Sequence, residues 1–112
     1  MQLFAGLRKI RAFQKLQLPF LQTVSDFDII LEIGYAEERG RPLSLKQLFL
    51  FNISSRTTVR RKLASLTAQG IVTRRKDEND NRASVLTISS STVKLLSKYS
   101  GAITAISRSH FK

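Results

Sequence analysis

The hydrophobic period of this 112-residue chain changes twice, and those changes restrict its architecture more than any other feature. Up to Gly70, apolar residues recur at spacings of three and four, as in helices with one buried face. From Ile71 the chain turns into two β-prone segments, Ile71-Val72-Thr73-Arg74-Arg75-Lys76 and Ala83-Ser84-Val85-Leu86-Thr87-Ile88. They flank Asp77-Glu78-Asn79-Asp80-Asn81, a run of turn formers, and so read as one β-hairpin with a charged tip. Beyond Ser89 the helical spacing returns: Val93, Leu96, Tyr99, Ile103 and Ile106 follow at heptad-like intervals from a start at Ser89, Ser90 or Ser91.

Punctuation divides the helical part further. Leu3, Leu7, Ile10 and Phe13 predict a first helix over 2–16, which Pro19 stops, leaving 17–24 as a connector. A second helix starts at Ser25, where a capping hydroxyl precedes Asp26 and Asp28 at the positive helix end. Phe27, Ile29, Ile30, Leu31, Ile33 and Tyr35 make it apolar nearly all round, so it is expected to be the central, most buried helix. Ser44-Leu45-Lys46-Gln47 has the form of a capping box opening a short helix, with Leu45, Leu48 and Phe49 facing inward. After the break Phe51-Asn52-Ile53, Ser54-Ser55 cap a helix that keeps Val59, Leu63 and Leu66 on one side and ends at Gly70. Two short helices joined by about three or four residues form a helix-turn-helix.

The fold class expected is therefore α+β, mainly α: a winged helix-turn-helix with flanking N- and C-terminal helices. One domain is expected over 1–112, with its core at 25–89 and flanking helices at 1–18 and 90–112.

Charge is the second constraint. Nineteen Lys and Arg against eight Asp and Glu give a net charge of +11, a field that attracts nucleic acid first and an anionic membrane second. The charge is also segregated. Between Glu38 and Asp77 there is no acid, while the interval holds Arg39, Arg41, Lys46, Arg56, Arg60, Arg61, Lys62, Arg74, Arg75 and Lys76.

Those residues fall on the elements that read DNA in a winged helix. A recognition helix keeps one apolar stripe inward and presents polar and basic side chains at its first turns. In the helix at 54–69, Arg56, Thr57, Arg60 and Arg61 lie largely off the Val59, Leu63, Leu66 stripe. A guanidinium forks onto guanine O6 and N7 in the major groove or onto a phosphate. The hydroxyls of Ser54, Ser55, Thr57 and Thr58, with the helix N-terminal amides, suit phosphate oxygens. Taken alone, Arg60, Arg61 and Lys62 also fit an ordinary solvated helix face. The short helix before them and the basic hairpin after favour DNA.

Within the wing, 72–88, the expected DNA contacts are Arg74, Arg75, Lys76, Asn81 and Arg82, with an Arg at the tip entering the narrow minor groove. Asp80 is out of place against phosphates unless it bonds Arg74 or Arg82 and stiffens the wing. Asp77 and Glu78 fit a purely turn-shaping role equally well.

The run Ser55 to Arg82 resembles the winged-helix regulators of the MarR type, named for multiple antibiotic resistance. Their wings commonly read Leu, a spacer, Gly-Leu-Val, Arg, then Asp-Arg-Arg and a Leu-Thr ending. This chain has Thr58-Val59 and Arg61, then Leu66, Gly70-Ile71-Val72, Arg74, Asp80-Asn81-Arg82 and Leu86-Thr87-Ile88. Asn81 stands where those proteins usually have the first Arg of the pair, and the recognition helix is more basic than is usual for them. The resemblance, over roughly 25–92, implies that Thr58, Arg60 and Arg61 face the major groove and Arg82 the minor groove, with Asp80 bracing the wing. It also implies a transcriptional regulator, a repressor acting as a homodimer.

Leu3, Leu7, Ile10, Val93, Leu96, Tyr99, Ile103 and Ile106 offer more apolar stripe than one small core absorbs, so dimerisation is placed on the terminal helices. The alternatives are an architectural or replication-associated DNA-binding protein, and a winged-helix module that binds protein or RNA. The first helix, amphipathic and basic, also has the form of a membrane-surface binder, although no membrane partner is expected. An enzyme has little support: there is no Gly-rich phosphate loop, no Cys, no metal-ligand cluster, and the one His is His110 near the C-terminus. Neither a cofactor nor a metal is expected. No apolar run is long enough to span a bilayer, and a cytoplasmic location is the default expectation.

Overall fold

Each helix start in the central region is fixed by a side chain that satisfies free backbone N–H groups, and these caps set the element boundaries. A computed structural model of the chain describes residues 1–77, 80 and 82–112. In order, it contains α1 (Leu3–Gln17), α2 (Val24–Glu38), α3 (Leu45–Phe49), α4 (Arg56–Ala68), β1 (Val72–Lys76), β2 (Ser84–Ile88) and α5 (Ser90–His110). Two compact units result, Thr23–Ser89 and the terminal segments Met1–Gln22 with Ser90–Lys112.

Within the 23–89 unit, α2 begins two residues earlier than its Ser25 cap would place it. Thr23 is the N-cap: its hydroxyl accepts the Asp26 N–H (3.3 Å), and the Asp26 carboxylate accepts the Thr23 N–H (2.8 Å). Lys62 of α4 decides between the two hydroxyls, because its ammonium donates to Thr23 Oγ1 (2.9 Å) and to Asp26 Oδ1 (3.2 Å). That ion pair is largely buried, with side-chain exposures of 13% and 9%. Burial alone would raise the Asp26 pKa. The hydrogen bonds from the Thr23 N–H, Lys62 and the Thr23 hydroxyl, with the Lys62 charge, outweigh it and hold the carboxyl below its ordinary value. Lys62 thus fastens α4 to the start of α2.

The short helix opens with the expected box: Ser44 accepts the Gln47 N–H, and Gln47 accepts the Ser44 N–H. Residues 50–55 then join α3 to α4, a longer turn than expected, with Asn52 in the left-handed region at φ 52°. Leu50, Phe51 and Asn52 donate to carbonyls three residues back, so the chain overwinds before it turns. Gly70, at φ 74°, supplies the left-handed residue that stops α4.

The core of this unit is Ile29, Ile30, Ile33, Leu48, Val59, Leu63, Leu66, Ile71, Val72, Val85, Leu86 and Ile88, all buried. The second helix is less enclosed than its composition suggests. Ile29, Ile30 and Ile33 lie on its inner face, whereas Leu31 and Tyr35 are more than half exposed. The wing is antiparallel, pairing Val72 with Ile88 and Lys76 with Ser84. On its other edge β2 takes one further bond, Leu86 N–H to the Leu43 carbonyl (2.7 Å), and Glu37 Oε1 accepts the Ile88 N–H (3.1 Å). Those two bonds anchor β2, so β1 is the outer strand of the ribbon.

In the terminal unit, α1 and α5 run antiparallel: the Gln2 N–H donates to the His110 carbonyl (2.7 Å), and Phe13 stacks on Tyr99. Gly6 allows the close approach at that end, since a Cβ there would collide with the Phe111 ring. Neither helix buries a large apolar side chain completely.

Candidate nucleic-acid interface

The first turns of α4 carry a run of exposed basic and hydroxyl side chains. Ser55 is the N-cap; its hydroxyl accepts the Thr58 N–H (3.1 Å) and donates to Thr58 Oγ1 (2.9 Å). The proton of the Thr58 hydroxyl is left for an outside acceptor. Val59, Leu63 and Leu66 occupy the buried stripe, and the 3.6-residue period therefore turns Arg56, Thr57, Arg60 and Arg61 outward, all exposed. Ser54 and Ser55 are exposed as well.

Arg56 and Arg60, one turn apart on α4, both place their guanidinium over the Phe49 ring, at 5.3 and 5.2 Å from its centroid. The sequence suggests no such role for Phe49, whose spacing with Leu45 and Leu48 marks it as inward-facing. In the structure Leu48 is fully buried and Phe49 only half so. An aromatic residue just before an Arg-rich helix is the only signal that could have marked it. Lys62, of the same basic run, is turned away into its ion pair with Asp26.

On the wing, Arg74, Arg75 and Lys76 are exposed on the outer strand, but they do not form one face. Strand alternation puts Arg74 and Lys76 on the side of Val72, and Arg75 on the side of Thr73, whose hydroxyl bonds that of Thr87. The Asp77 N–H donates to the Ala83 carbonyl, which carries the pairing one step past the strand ends, and the Ala83 N–H donates to the Asp80 carbonyl three residues back, a bond within the turn. The Asp80 carboxylate accepts the Arg82 backbone N–H (3.0 Å), an Asx-type bond that shapes the tip through the main chain. Arg82 is exposed. Asn81, expected among the DNA contacts, and Glu78 of the turn lie outside the described residues.

Between Glu38 and Asp77 the chain carries no acid, and Asp77 and Asp80, the described acids of the wing, lie at its tip. Among the described residues there is no cluster of three or more metal-ligating side chains, and no helix is long and apolar enough to cross a membrane.

Helix-turn-helix, two-stranded wing and flanking helices in this order make the fold a winged helix-turn-helix, the fold shared with the solved structures it is similar to. The chain is similar to the transcriptional regulator Tm0710 from Thermotoga maritima, at 24% identity and a TM-score of 0.68, covering 95% of this chain and 70% of that one. It is also similar to S. aureus MepR in a DNA complex, at 16% identity and a TM-score of 0.72, over 91% of this chain and 75% of that one. A mutant MarR from E. coli complexed with operator DNA aligns at 16% identity with a TM-score of 0.59, over 89% and 69% of the two chains. No protein-family sequence model matches the chain, and no curated protein sequence does.

Proposed function

We propose that this protein is a sequence-preferring double-stranded DNA-binding regulator of transcription, a repressor that acts by occupying its site. The recognition helix, 54–69, enters the major groove, and the wing, 72–88, lies along the minor groove. The observation that carries this reading is the exposure of Arg56, Arg60 and Arg61 on the first turns of a capped α4, inside a stretch with no acid from 39 to 76. Two similar structures are DNA complexes, which supports the same partner here. Arg60 and Arg61 read base edges. Ser54, Ser55, Arg56, Thr57 and Thr58 hold the backbone, with Arg74, Arg75, Lys76, Asn81 and Arg82 of the wing. Asp80 braces the tip.

The protein binds rather than catalyses, works in the cytoplasm where its DNA is, and pairs with a second copy through the terminal helices. Leu3, Phe4 and Leu7 of α1 and Val93 of α5 are exposed apolar residues that support that pairing. Selection of bound fragments from random duplex DNA tests the reading. A palindrome with half-sites about 10 bp apart is expected. Enrichment of no motif, with random competitor as effective as any selected duplex, would replace the regulator by an architectural DNA binder.

A further inference from the structure

The double contact on Phe49 assigns that residue a part in recognition. We propose that Phe49 is a positioning residue for DNA binding: its ring holds Arg56 and Arg60 as a pre-ordered pair whose N–H donors stay free for the duplex. The proposal rests on the DNA-binding reading above and adds a residue that itself touches no nucleic acid.

Both guanidinium carbons lie within the range of a cation–π attraction, at 5.3 and 5.2 Å from one ring. Arg56 and Arg60 are four residues apart on the same side of α4, and two like charges so placed repel. Among the described residues neither has a carboxylate partner or a hydrogen bond to fix it. The ring is thus the feature that gathers two flexible cations at one point. An aromatic face suits that task better than an acid would. A carboxylate occupies the in-plane donors of a guanidinium, whereas a ring face attracts the charge and leaves those donors available. Ordering the side chains before DNA arrives lowers the entropic cost of binding. It also favours one geometry over the many by which a free Arg finds a phosphate, so the effect falls on specific more than on random DNA.

Phe49 ends α3, and its partners open α4. The ring therefore couples the two helices of the helix-turn-helix through the side chains that meet the duplex, in addition to the core contacts of Leu48. That arrangement separates fold from recognition, because Leu48 is fully buried and Phe49 is not.

The test replaces Phe49 by Leu, by Trp and, through site-specific incorporation, by phenylalanines carrying one to three ring fluorines. Fluorine drains the ring face of negative potential while barely changing its shape, so it separates cation–π attraction from packing even if Phe49→Leu folds poorly. Binding is measured on a duplex selected by the parent and on a random duplex. Order parameters of the Arg56 and Arg60 Nε–H groups are measured in the free protein. The expected result is a stepwise loss with fluorination and, for Phe49→Leu, a weakening on the order of tenfold, the size of two exposed cation–π contacts. Phe49→Trp is expected to match or exceed the parent. The loss should be larger on the selected duplex, where Arg60 reads a base, than on the random one, where only the Arg56 backbone contact is weakened, and it should come with greater mobility of both Arg side chains. A flat fluorine series, or unchanged Arg order in Phe49→Leu, overturns the proposal and leaves the DNA-binding reading standing. A parent that binds no duplex at all overturns both.

Discussion

The 23–89 unit and the pair of terminal helices draw on similar apolar stripes and do different things with them. In the first, Ile29, Ile33 and Leu48 are 0% exposed, and α2, α3, α4 and the wing all contribute to one closed core. In the second, Phe4 and Leu16 are 75% and 77% exposed, and Gly6, Thr92 and His110 are the buried residues of the two helices. A heptad-like spacing therefore tells which residues share a face but not what covers that face. The closed unit has the material to fold and to present α4. The open one has the composition of an interface, and under the proposed function its second half comes from another copy.

Substitutions at matched positions sharpen the contrast. Ile33→Ala removes a fully buried side chain from the closed core, and chemical denaturation should show a loss of about 2–5 kcal/mol at any protein concentration. Leu7→Ala in α1, already 46% exposed, should cost within about 1 kcal/mol in dilute protein and more as concentration rises. Equal, concentration-independent losses would erase the distinction between the two regions.

Ile106→Asp on α5 places a charge in the proposed seam. At about 3 kcal/mol, it should weaken self-association by roughly 100-fold while circular dichroism reports the winged unit still folded. Sedimentation of the parent as a monomer at tens of micromolar would end the dimer proposal before the variant is made.

The pin between α2 and α4 gives the next effect. Lys62→Met leaves the Asp26 carboxylate part-buried without its cation and should cost roughly 1–3 kcal/mol. The Asp26 pKa is lowered in the folded state, so its contribution is complete above the unfolded value near 4 and is lost as pH falls through the folded value. The stability advantage of the parent over Asp26→Asn should accordingly shrink on acidification below about pH 4. An advantage that grew there would refute the assignment.

The wing should give smaller changes. Arg82→Ala is expected to flatten the salt dependence of DNA binding by about one unit if one phosphate contact is lost. Asp80→Ala removes an acid and by charge alone should tighten binding. Because the carboxylate holds the Arg82 N–H, weaker binding is expected instead. Tighter binding by Asp80→Ala would remove the bracing role.

Much of this was legible from local rules. Ser44 with Gln47, Ser55 and Gly70 fix element ends by short-range chemistry, and the change of period at Ile71 marks the hairpin. The features that escaped are long-range. Thr23 outcompetes Ser25 as a cap because Lys62, far along the chain, bonds it. Leu31 and Tyr35 are open because nothing in the sequence says how many sides of α2 are covered. Likewise the Leu43 bond to β2 and the two Arg groups on Phe49 join segments that only the fold brings together. The proposed DNA contacts on α4 were readable from exposure pattern and charge, since a recognition helix is defined by what its sequence leaves outside the stripe.

The central claim is that the first turns of α4 read DNA, and titration of Arg60→Ala and Arg61→Ala against a parent-selected duplex tests it most directly. Followed by fluorescence anisotropy at moderate salt, at least one variant should lose about 1–3 kcal/mol on that duplex and relax base choice at one position, with a smaller change on random DNA. Binding by both variants that matches the parent on both duplexes would contradict the claim.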